Sequence, residues 1–118
     1  MIDHFNLPVL DLARSRRFFE QALEPLGVRF LMEDSGAVGF GVDTWAFGIV
    51  ASAPPIPRIH VAFRARSRAA VDAFFQSALA AGAKENGLPG DRAVYGPNYY
   101  AAFVLDPDGH NVEAVFRG

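Results

Sequence analysis

The sequence predicts an α+β fold in which two βαβββ modules, related by a pseudo-twofold axis, form a cupped mixed sheet around a pocket. Strand-like and helix-like segments follow the same order in both halves of the 118-residue chain. An offset of 56 residues, which carries position 4 onto position 60, also aligns residues of matching physical role. A proline-rich stretch separates the halves. We therefore expect a single domain with module one at about 1–52, a linker at about 53–57 and module two at about 58–118.

The aligned residues occupy corresponding places in a strand, a helix cap and a helix core face. They are His4 with His60, Asp11 with Ser67, Phe18 with Phe74, Phe19 with Phe75, Ala22 with Ala78, and Leu23 with Leu79. Two unrelated helices that each follow a capped turn and carry paired phenylalanines would give some of the same matches by coincidence. A duplicated module explains all of them together.

Module one opens with an apolar segment, Ile2 to Val9, that is predicted to form a strand. Asp11 is suited to cap the helix Leu12 to Leu26, and Gly27 is suited to end it. Small or apolar residues recur in this helix at three- and four-residue spacing and predict its core face: Leu12, Ser15, Phe19, Ala22, Leu23 and Leu26. Three β-prone runs follow, at Arg29 to Glu33, Ala37 to Val42 and Trp45 to Ala51.

Module two repeats this plan after Pro54, Pro55 and Pro57, which cannot continue a central strand. Its elements are a strand Ile59 to Arg64, a cap at Ser67, a helix Arg68 to Ala81, a terminator at Gly82, and β-prone runs at Ala83 to Glu85, Tyr99 to Leu105 and Asn111 to Arg117. The segment Asn86 to Asn98 is rich in glycine and proline, so we expect a loop that forms a lid or a substrate wall.

Composition favours a small-molecule ligand over a macromolecular one. The net charge of −2 comes from intermingled acids and bases, so no basic patch for nucleic acid or a membrane surface is expected. The absence of cysteine removes thiolate ligands and leaves imidazole and carboxylate as candidate metal ligands. No apolar stretch approaches the roughly 20 residues of a membrane span, and the first residues do not resemble a signal peptide, so a cytoplasmic location is expected.

Three residues are candidate metal ligands: His4 and His60, at matched positions in the opening strands, and Glu113, in the last predicted strand. Strand alternation places Glu113 opposite the apolar Val112 and Ala114, and so on the concave face. Two imidazoles and one carboxylate suit Fe, Mn, Zn or Ni and leave positions for water and substrate. Each residue alone is also compatible with a structural histidine or a solvated glutamate.

Other residues are weaker candidates for the pocket. Tyr99 or Tyr100 is a candidate to orient a substrate oxygen, although neighbours in a strand face opposite sides and either can simply pack. His110, beside Gly109, is expected to be an exposed turn residue rather than a further ligand. Trp45 and Phe47 form either the floor of the cavity or part of the core.

Three segments resemble the motifs of the vicinal oxygen chelate superfamily, the group of glyoxalases, bleomycin-resistance proteins and extradiol dioxygenases. The opening DHFNLPVLDLARSRRFFEQALEPLG resembles its first motif, and HVAFRARSRAAVDAFFQSALAAGA and AAFVLDPDGHNVEAVF are similar to the matching motifs of the second half. The D-P-D-G turn followed by a strand glutamate is the most recognisable. The resemblance covers essentially the whole chain and implies paired modules cupped around one divalent metal held by His4, His60 and Glu113.

One departure bears on the activity. Members with four ligands, of the glyoxalase I type, carry an additional carboxylate in the last strand of module one, where this chain reads Trp45-Ala46-Phe47-Gly48-Ile49-Val50. The resemblance therefore favours a three-ligand site and implies a metal-dependent lyase, isomerase or dioxygenase acting on a small oxygenated molecule. The alternatives are a sequestering protein of the bleomycin-resistance type, without metal or catalysis, and a vestigial site. The resemblance also implies a homodimer, with the modules around each metal coming from one chain or from two.

Overall fold

A computed structural model describes all 118 residues and contains two βαβββ modules, as predicted. In module one, strand β1 (Phe5–Val9) leads into helix α1 (Leu12–Leu23) and a 3₁₀ turn (Glu24–Leu26), followed by strands β2 (Arg29–Asp34), β3 (Ala37–Gly41) and β4 (Trp45–Ala51). In module two, β5 (His60–Arg64) and α2 (Arg68–Ala80) precede β6 (Lys84–Asp91), a 3₁₀ turn (Ala93–Tyr95), β7 (Tyr100–Leu105) and β8 (Asn111–Phe116). Neither helix is long and apolar enough to cross a lipid bilayer.

The helices begin where the predicted caps lie. The Asp11 side chain accepts a hydrogen bond from the backbone N–H of Arg14 at 3.0 Å, and Ser67 accepts one from Ala70 at 3.0 Å. Each bond satisfies an amide that the first turn of a helix leaves without a partner. His4 lies just outside β1, because the strand begins at Phe5 rather than at Ile2 as predicted.

Both modules have the same sheet topology. The strand orders are β1-β4-β3-β2 and β5-β8-β7-β6, and each opening strand runs parallel to the last strand of its module. The two sheets stay separate four-stranded sheets within one chain. Asn6 pairs with Gly48 in module one and Ala62 pairs with Glu113 in module two. Since the offset of 56 carries Asn6 onto Ala62, Gly48 is the module-one equivalent of Glu113.

The expectation of a loop over Asn86 to Asn98 is wrong for its first half. Strand β6 continues to Asp91 and pairs with β7, with register shifts between Glu85 and Gly87 and between Gly87 and Gly90. The glycines therefore mark bulges in a paired strand rather than a break, which composition alone does not distinguish.

A shared aromatic core joins the modules on the helix side of the sheets. Phe47 on β4 contacts Phe19 of α1 at a ring-centroid distance of 5.1 Å and Phe63 of β5 at 5.0 Å, both edge to face. Phe47 is 4% exposed and therefore belongs to the core. Helices α1 and α2 also contact each other, so buried side chains of both modules form one continuous hydrophobic cluster.

The edge strands β1 and β5 flank the junction between the modules and run in opposite directions. The His110 ring bridges the end of β1 and the start of β5, because it contacts both Pro8 and Ile59. Phe47, which pairs with Phe5 on β1, contacts Phe63 near the far end of β5. His4 precedes Pro8 by four residues, so it lies roughly 13 Å along the strand from the end that meets His60.

His110 is fully buried, and the expectation of an exposed turn residue is wrong. Its Nδ1 accepts the backbone N–H of Ile59 at 3.0 Å, so Nε2 carries the proton and donates to the Pro8 carbonyl at 2.8 Å. The backbone N–H of His110 donates to Asp106 at 2.8 Å. The turn is buried because the imidazole forms hydrogen bonds with two backbone groups at the junction of the modules, so these groups do not need water as a partner.

Replacing His110 with alanine is expected to lower the free energy of unfolding by about 2–4 kcal/mol, because two backbone groups at the module junction lose their partner. Urea unfolding followed by circular dichroism measures this loss. His4→Ala, which removes a partly exposed imidazole that bridges no backbone groups, serves as the control and should change stability by less than about 1 kcal/mol. Equal stability of the two variants would show that the bridge contributes nothing.

Candidate metal centre

Module two brings three of the predicted site residues together on its concave face. The Nε2–H of His60 donates to Glu113 Oε1 at 2.8 Å, and the Tyr99 hydroxyl donates to Glu113 Oε2 at 2.5 Å. Glu113 is 1% exposed, whereas the His60 side chain is 52% exposed at the rim. We call His60, Glu113 and Tyr99 the module-two half-site. Its carboxylate is buried but has a donor on each oxygen, which compensates for the loss of water.

The two neighbouring tyrosines point to opposite faces of the sheet. The Tyr100 hydroxyl donates to Asp72 of α2 at 2.6 Å, on the helix side, and is therefore not among the groups that surround Glu113. Burial and the hydrogen bond to Glu113 raise the pKa of Tyr99 to about 12. Tyr99 therefore stays protonated and acts as a hydrogen-bond donor at any ordinary pH.

Module one carries a second group of residues around His4. Its Nδ1–H donates to Asp3 Oδ1 at 2.8 Å, and its ring lies 4.2 Å from the Trp45 ring, centroid to centroid. We call His4 and Trp45 the module-one half-site. A Cβ at Gly48 would lie 2.2 Å from Asn6 Oδ1 and 3.2 Å from Trp45 Nε1. The place equivalent to Glu113 is thus filled by the Asn6 amide and the Trp45 indole, which leaves no room there for a fourth carboxylate ligand.

A single chain does not bring His4 together with His60 and Glu113. The one group of three or more potential ligands whose atoms all lie within 4.8 Å is Asp106, Asp108 and His110. The separation of the predicted ligands follows from the opposite directions of β1 and β5, since each histidine stands at the start of its strand.

Hydrogen bonds already occupy almost every ligand atom of the Asp106, Asp108 and His110 group. Both His110 nitrogens are paired, and Asp108 accepts from the Leu10 backbone at 3.1 Å and from Arg14 at 2.6 Å. Asp106 Oδ1 accepts two backbone amides, and only its buried Oδ2 lacks a partner. Burial raises the pKa of the Asp106 carboxyl. The distances alone would admit a cation, but one free oxygen is too few, so we assign this group to the junction between the modules.

Two arginines also reach the concave face of module two. The Arg92 guanidinium lies 5.5 Å from the centroid of the Phe103 ring, and that of Arg117 lies 5.1 Å from the Tyr99 ring. Arg92 lies within the segment Asn86 to Asn98, which the sequence predicts only as a loop, and no sequence pattern singles out Arg117. Phe103 pairs in register with Glu113, so the two side chains share one face of the sheet. Knowledge of this pairing would have shown that Arg92, which contacts Phe103, lies on that face.

A cavity of 680 Å³ lies between module one and the edge strand β5 of module two. Apolar side chains such as Phe5, Phe47 and Phe63 line most of it, and His60 is the only half-site residue on its wall. It is therefore a gap between the modules that reaches the rim of the module-two half-site, not a pocket centred on Glu113.

Comparisons with known proteins agree with this architecture. The uncharacterized protein YqjT of Bacillus subtilis (strain 168) is 32% identical over an alignment 124 positions long, which covers 95% of this chain and 95% of that protein. A glyoxalase/bleomycin resistance protein from Albidiferax ferrireducens T118 superposes with a TM-score of 0.86 at 26% identity, over 100% of this chain and 99% of that one. A glyoxalase/bleomycin resistance protein/dioxygenase family enzyme from Burkholderia phytofirmans PsJN shares the fold, with a TM-score of 0.77 at 19% identity and 98% of each chain covered.

The family model described as Glyoxalase/Bleomycin resistance protein/Dioxygenase superfamily matches residues 1–114, almost the whole chain. The match includes both half-sites and the D-P-D-G turn. The chain is therefore a member of the glyoxalase, bleomycin resistance protein and dioxygenase superfamily.

Proposed function

We propose that this protein is a metal-dependent lyase, isomerase or dioxygenase-like enzyme that acts on a small oxygenated molecule. We further propose that it works as a homodimer, in which His60 and Glu113 of one chain and His4 of the second copy hold one divalent metal. The single observation that carries the proposal is the buried Glu113 carboxylate, with a partly exposed imidazole on one oxygen and a tyrosine hydroxyl on the other.

The donor atoms of the module-two half-site fit a divalent metal. Ligand bonds of about 2.0–2.2 Å bring neighbouring ligand atoms to roughly 3 Å from each other, close to the 2.8 Å between His60 Nε2 and Glu113 Oε1. Two imidazoles and a carboxylate form the set preferred by Fe, Mn, Zn and Ni. His60 can offer Nε2 to a metal when the ring proton sits on Nδ1, and protonation of the neutral ring competes with the metal, so metal binding should weaken as the pH falls.

A second copy of the chain would supply the His4 ligand that a single chain does not bring to its own module-two half-site. Because His4 stands at the opposite end of the β1–β5 pair from His60, a twofold dimer with facing concave surfaces would place each His4 against the partner's module-two half-site. A twofold axis makes the contact reciprocal, so the dimer would contain two equivalent sites.

When bound, the metal would act as a Lewis acid that accepts two adjacent substrate oxygens and stabilises negative charge that develops on them. The chain's own residues orient the substrate around it. Tyr99, protonated up to about pH 12, holds Glu113 by its hydroxyl, and this single O–H would be free to donate to a substrate oxygen once the metal takes up the Glu113 carboxylate. Trp45 offers a flat apolar surface beside His4.

The tyrosine pair provides a matched test. Tyr99→Phe is expected to weaken metal binding by about 10–100-fold, because it removes a hydrogen bond that orients a ligand carboxylate. Tyr100→Phe removes the neighbouring hydroxyl, which serves Asp72 on the other face, and should leave metal affinity unchanged. Competition titration of Zn²⁺ or Mn²⁺ against a chromophoric chelator measures both. Equal metal affinities of the two variants would contradict a metal site at Glu113.

Metal content separates this function from the sequestering alternative. Untagged protein is expected to hold about one divalent ion per chain after reconstitution with Fe, Mn, Zn or Ni. A protein that stays free of metal under all four conditions would refute the enzyme proposal. The hydrogen bonds from His60 and Tyr99 to Glu113 would then serve only to hold the concave binding surface rigid, as a sequestering protein requires.

A further inference from the structure

We propose that the molecule bound on this face carries an oxyanion, a carboxylate or a phosphoryl group, which is held by Arg92 and Arg117. The inference deepens the proposed function only in naming the chemical class of its ligand. It rests on two guanidinium groups that flank the module-two half-site and have no acidic partner.

Arg92 lies on the same face as the half-site. Its guanidinium sits over Phe103, and Phe103 pairs in register with Glu113 and has its ring centroid 6.1 Å from that of His60. Residues that are paired in register share one face of the sheet. A ligand that reaches His60 from the concave side therefore meets the Arg92 guanidinium next to it.

The bulged strand β6 makes room for this arginine. A Cβ at Gly90 would lie 3.1 Å from Arg92 Nη1, and one at Gly87 would lie 3.4 Å from Arg92 Nη2 and 2.8 Å from the Phe103 ring. The Nη2–H of Arg92 also donates to the Leu88 carbonyl at 2.7 Å. The guanidinium is thus held in a cradle of glycines, an aromatic ring and a backbone carbonyl, so its side chain loses less entropy when an anion binds.

Arg117 lies at the other side of the half-site. It stacks on Tyr99, whose hydroxyl donates to Glu113. A guanidinium stacked on a ring keeps its N–H donors in the plane of the group, where they can meet a carboxylate or phosphoryl oxygen in bidentate geometry. Arg92 and Arg117 therefore flank His60 and Glu113 with donors that the fold itself uses only in part.

The charge balance of this face favours an anion. The ion pairs of the chain involve Arg14, Arg16 and Arg68, and neither Arg92 nor Arg117 lies within 4.0 Å of a carboxylate. The two guanidinium groups outnumber the single Glu113 carboxylate beside them, and a divalent metal would add two more positive charges. Two cations on a chain of net charge −2 suit a small anion rather than a nucleic acid.

The test uses metal-free protein in excess EDTA, so that any bound metal cannot account for anion binding. Phenylphosphonate and benzoate are titrated into ¹⁵N-labelled protein, with benzyl alcohol as the neutral probe. The variants are Arg92→Gln, Arg117→Gln and the double variant. Arg17→Gln, on an exposed residue of α1 that forms no ion pair, is the matched loss of one positive charge.

We expect saturable shifts in the wild-type protein that centre on Phe103, Tyr99 and Glu113. Affinity for the two anions should fall about tenfold in each single variant and more in the double variant, but should not change in Arg17→Gln. No saturable binding of either anion by the wild-type protein, or equal affinity in wild type and double variant, would overturn the proposal. Metal content of the same variants is measured separately and should equal that of wild type, so failure of the anion site and failure of the metal site give different results.

Discussion

Replacing Phe47 with alanine is expected to lower the free energy of unfolding by about 3–5 kcal/mol. Phe47 is the side chain at which the cores of the two modules meet, since it contacts Phe19 and Phe40 in its own module and Phe63 in the other. Truncation removes buried apolar surface and leaves a cavity. The aromatic rings around this cavity lie on two sheets and a helix, so they cannot all move inward to fill it. Urea denaturation followed by circular dichroism measures the loss.

The control for this prediction keeps most of the volume. Phe47→Leu should cost less than about 1.5 kcal/mol, because a residue of similar size can be repacked in place. The variants must be compared at equal chain concentration, because the proposed dimer would add a concentration-dependent term to stability. An alanine variant within about 1 kcal/mol of the leucine variant would mean that the modules are held together elsewhere.

Replacing His60 with alanine is expected to weaken metal binding by more than about 100-fold. Removal of a residue that only hydrogen-bonds to a ligand already lowers metal affinity by about 10–100-fold, and loss of a ligand should cost more. The imidazole is exposed at the rim, so the variant should keep its fold. Elemental analysis after dialysis against Zn²⁺ or Mn²⁺ measures the loss. Asn86→Ala removes an exposed polar group that contacts Asn111 and should leave metal content unchanged. Retained metal in His60→Ala would count directly against the site.

Periodicity and capping residues were sufficient to predict the elements of each module, except for the part of β6 beyond Glu85. The predicted core face of α1 is confirmed at Ser15, Phe19, Ala22 and Leu23, which are all buried. These features are local: they depend on alternation, on three- and four-residue spacing and on side chains that reach an amide three residues away. The family resemblance is confirmed as well, since its motifs lie in these same local segments.

Features that depend on how the modules meet could not be predicted. His110 follows a D-P-D-G turn, and such turns are usually exposed; only the approach of Pro8 and Ile59 from two distant segments buries it. The direction of β1 relative to β5, which separates His4 from His60 within one chain, likewise has no local sequence pattern. Arg117 follows the last strand, and its place beside the module-two half-site becomes clear only once Tyr99 is placed next to Glu113.

The central claim is that each site takes its ligands from two chains, and a mixed dimer tests it most directly. His4→Ala and His60→Ala chains with different affinity tags are exchanged under mild denaturant, the heterodimer is purified through both tags, and its metal content is measured. Sites shared between chains predict about one metal per heterodimer, because one site then has both histidines and the other has neither, while each parent homodimer holds almost none. A heterodimer as empty as its parents would contradict the account, since every site would then draw both histidines from the same chain.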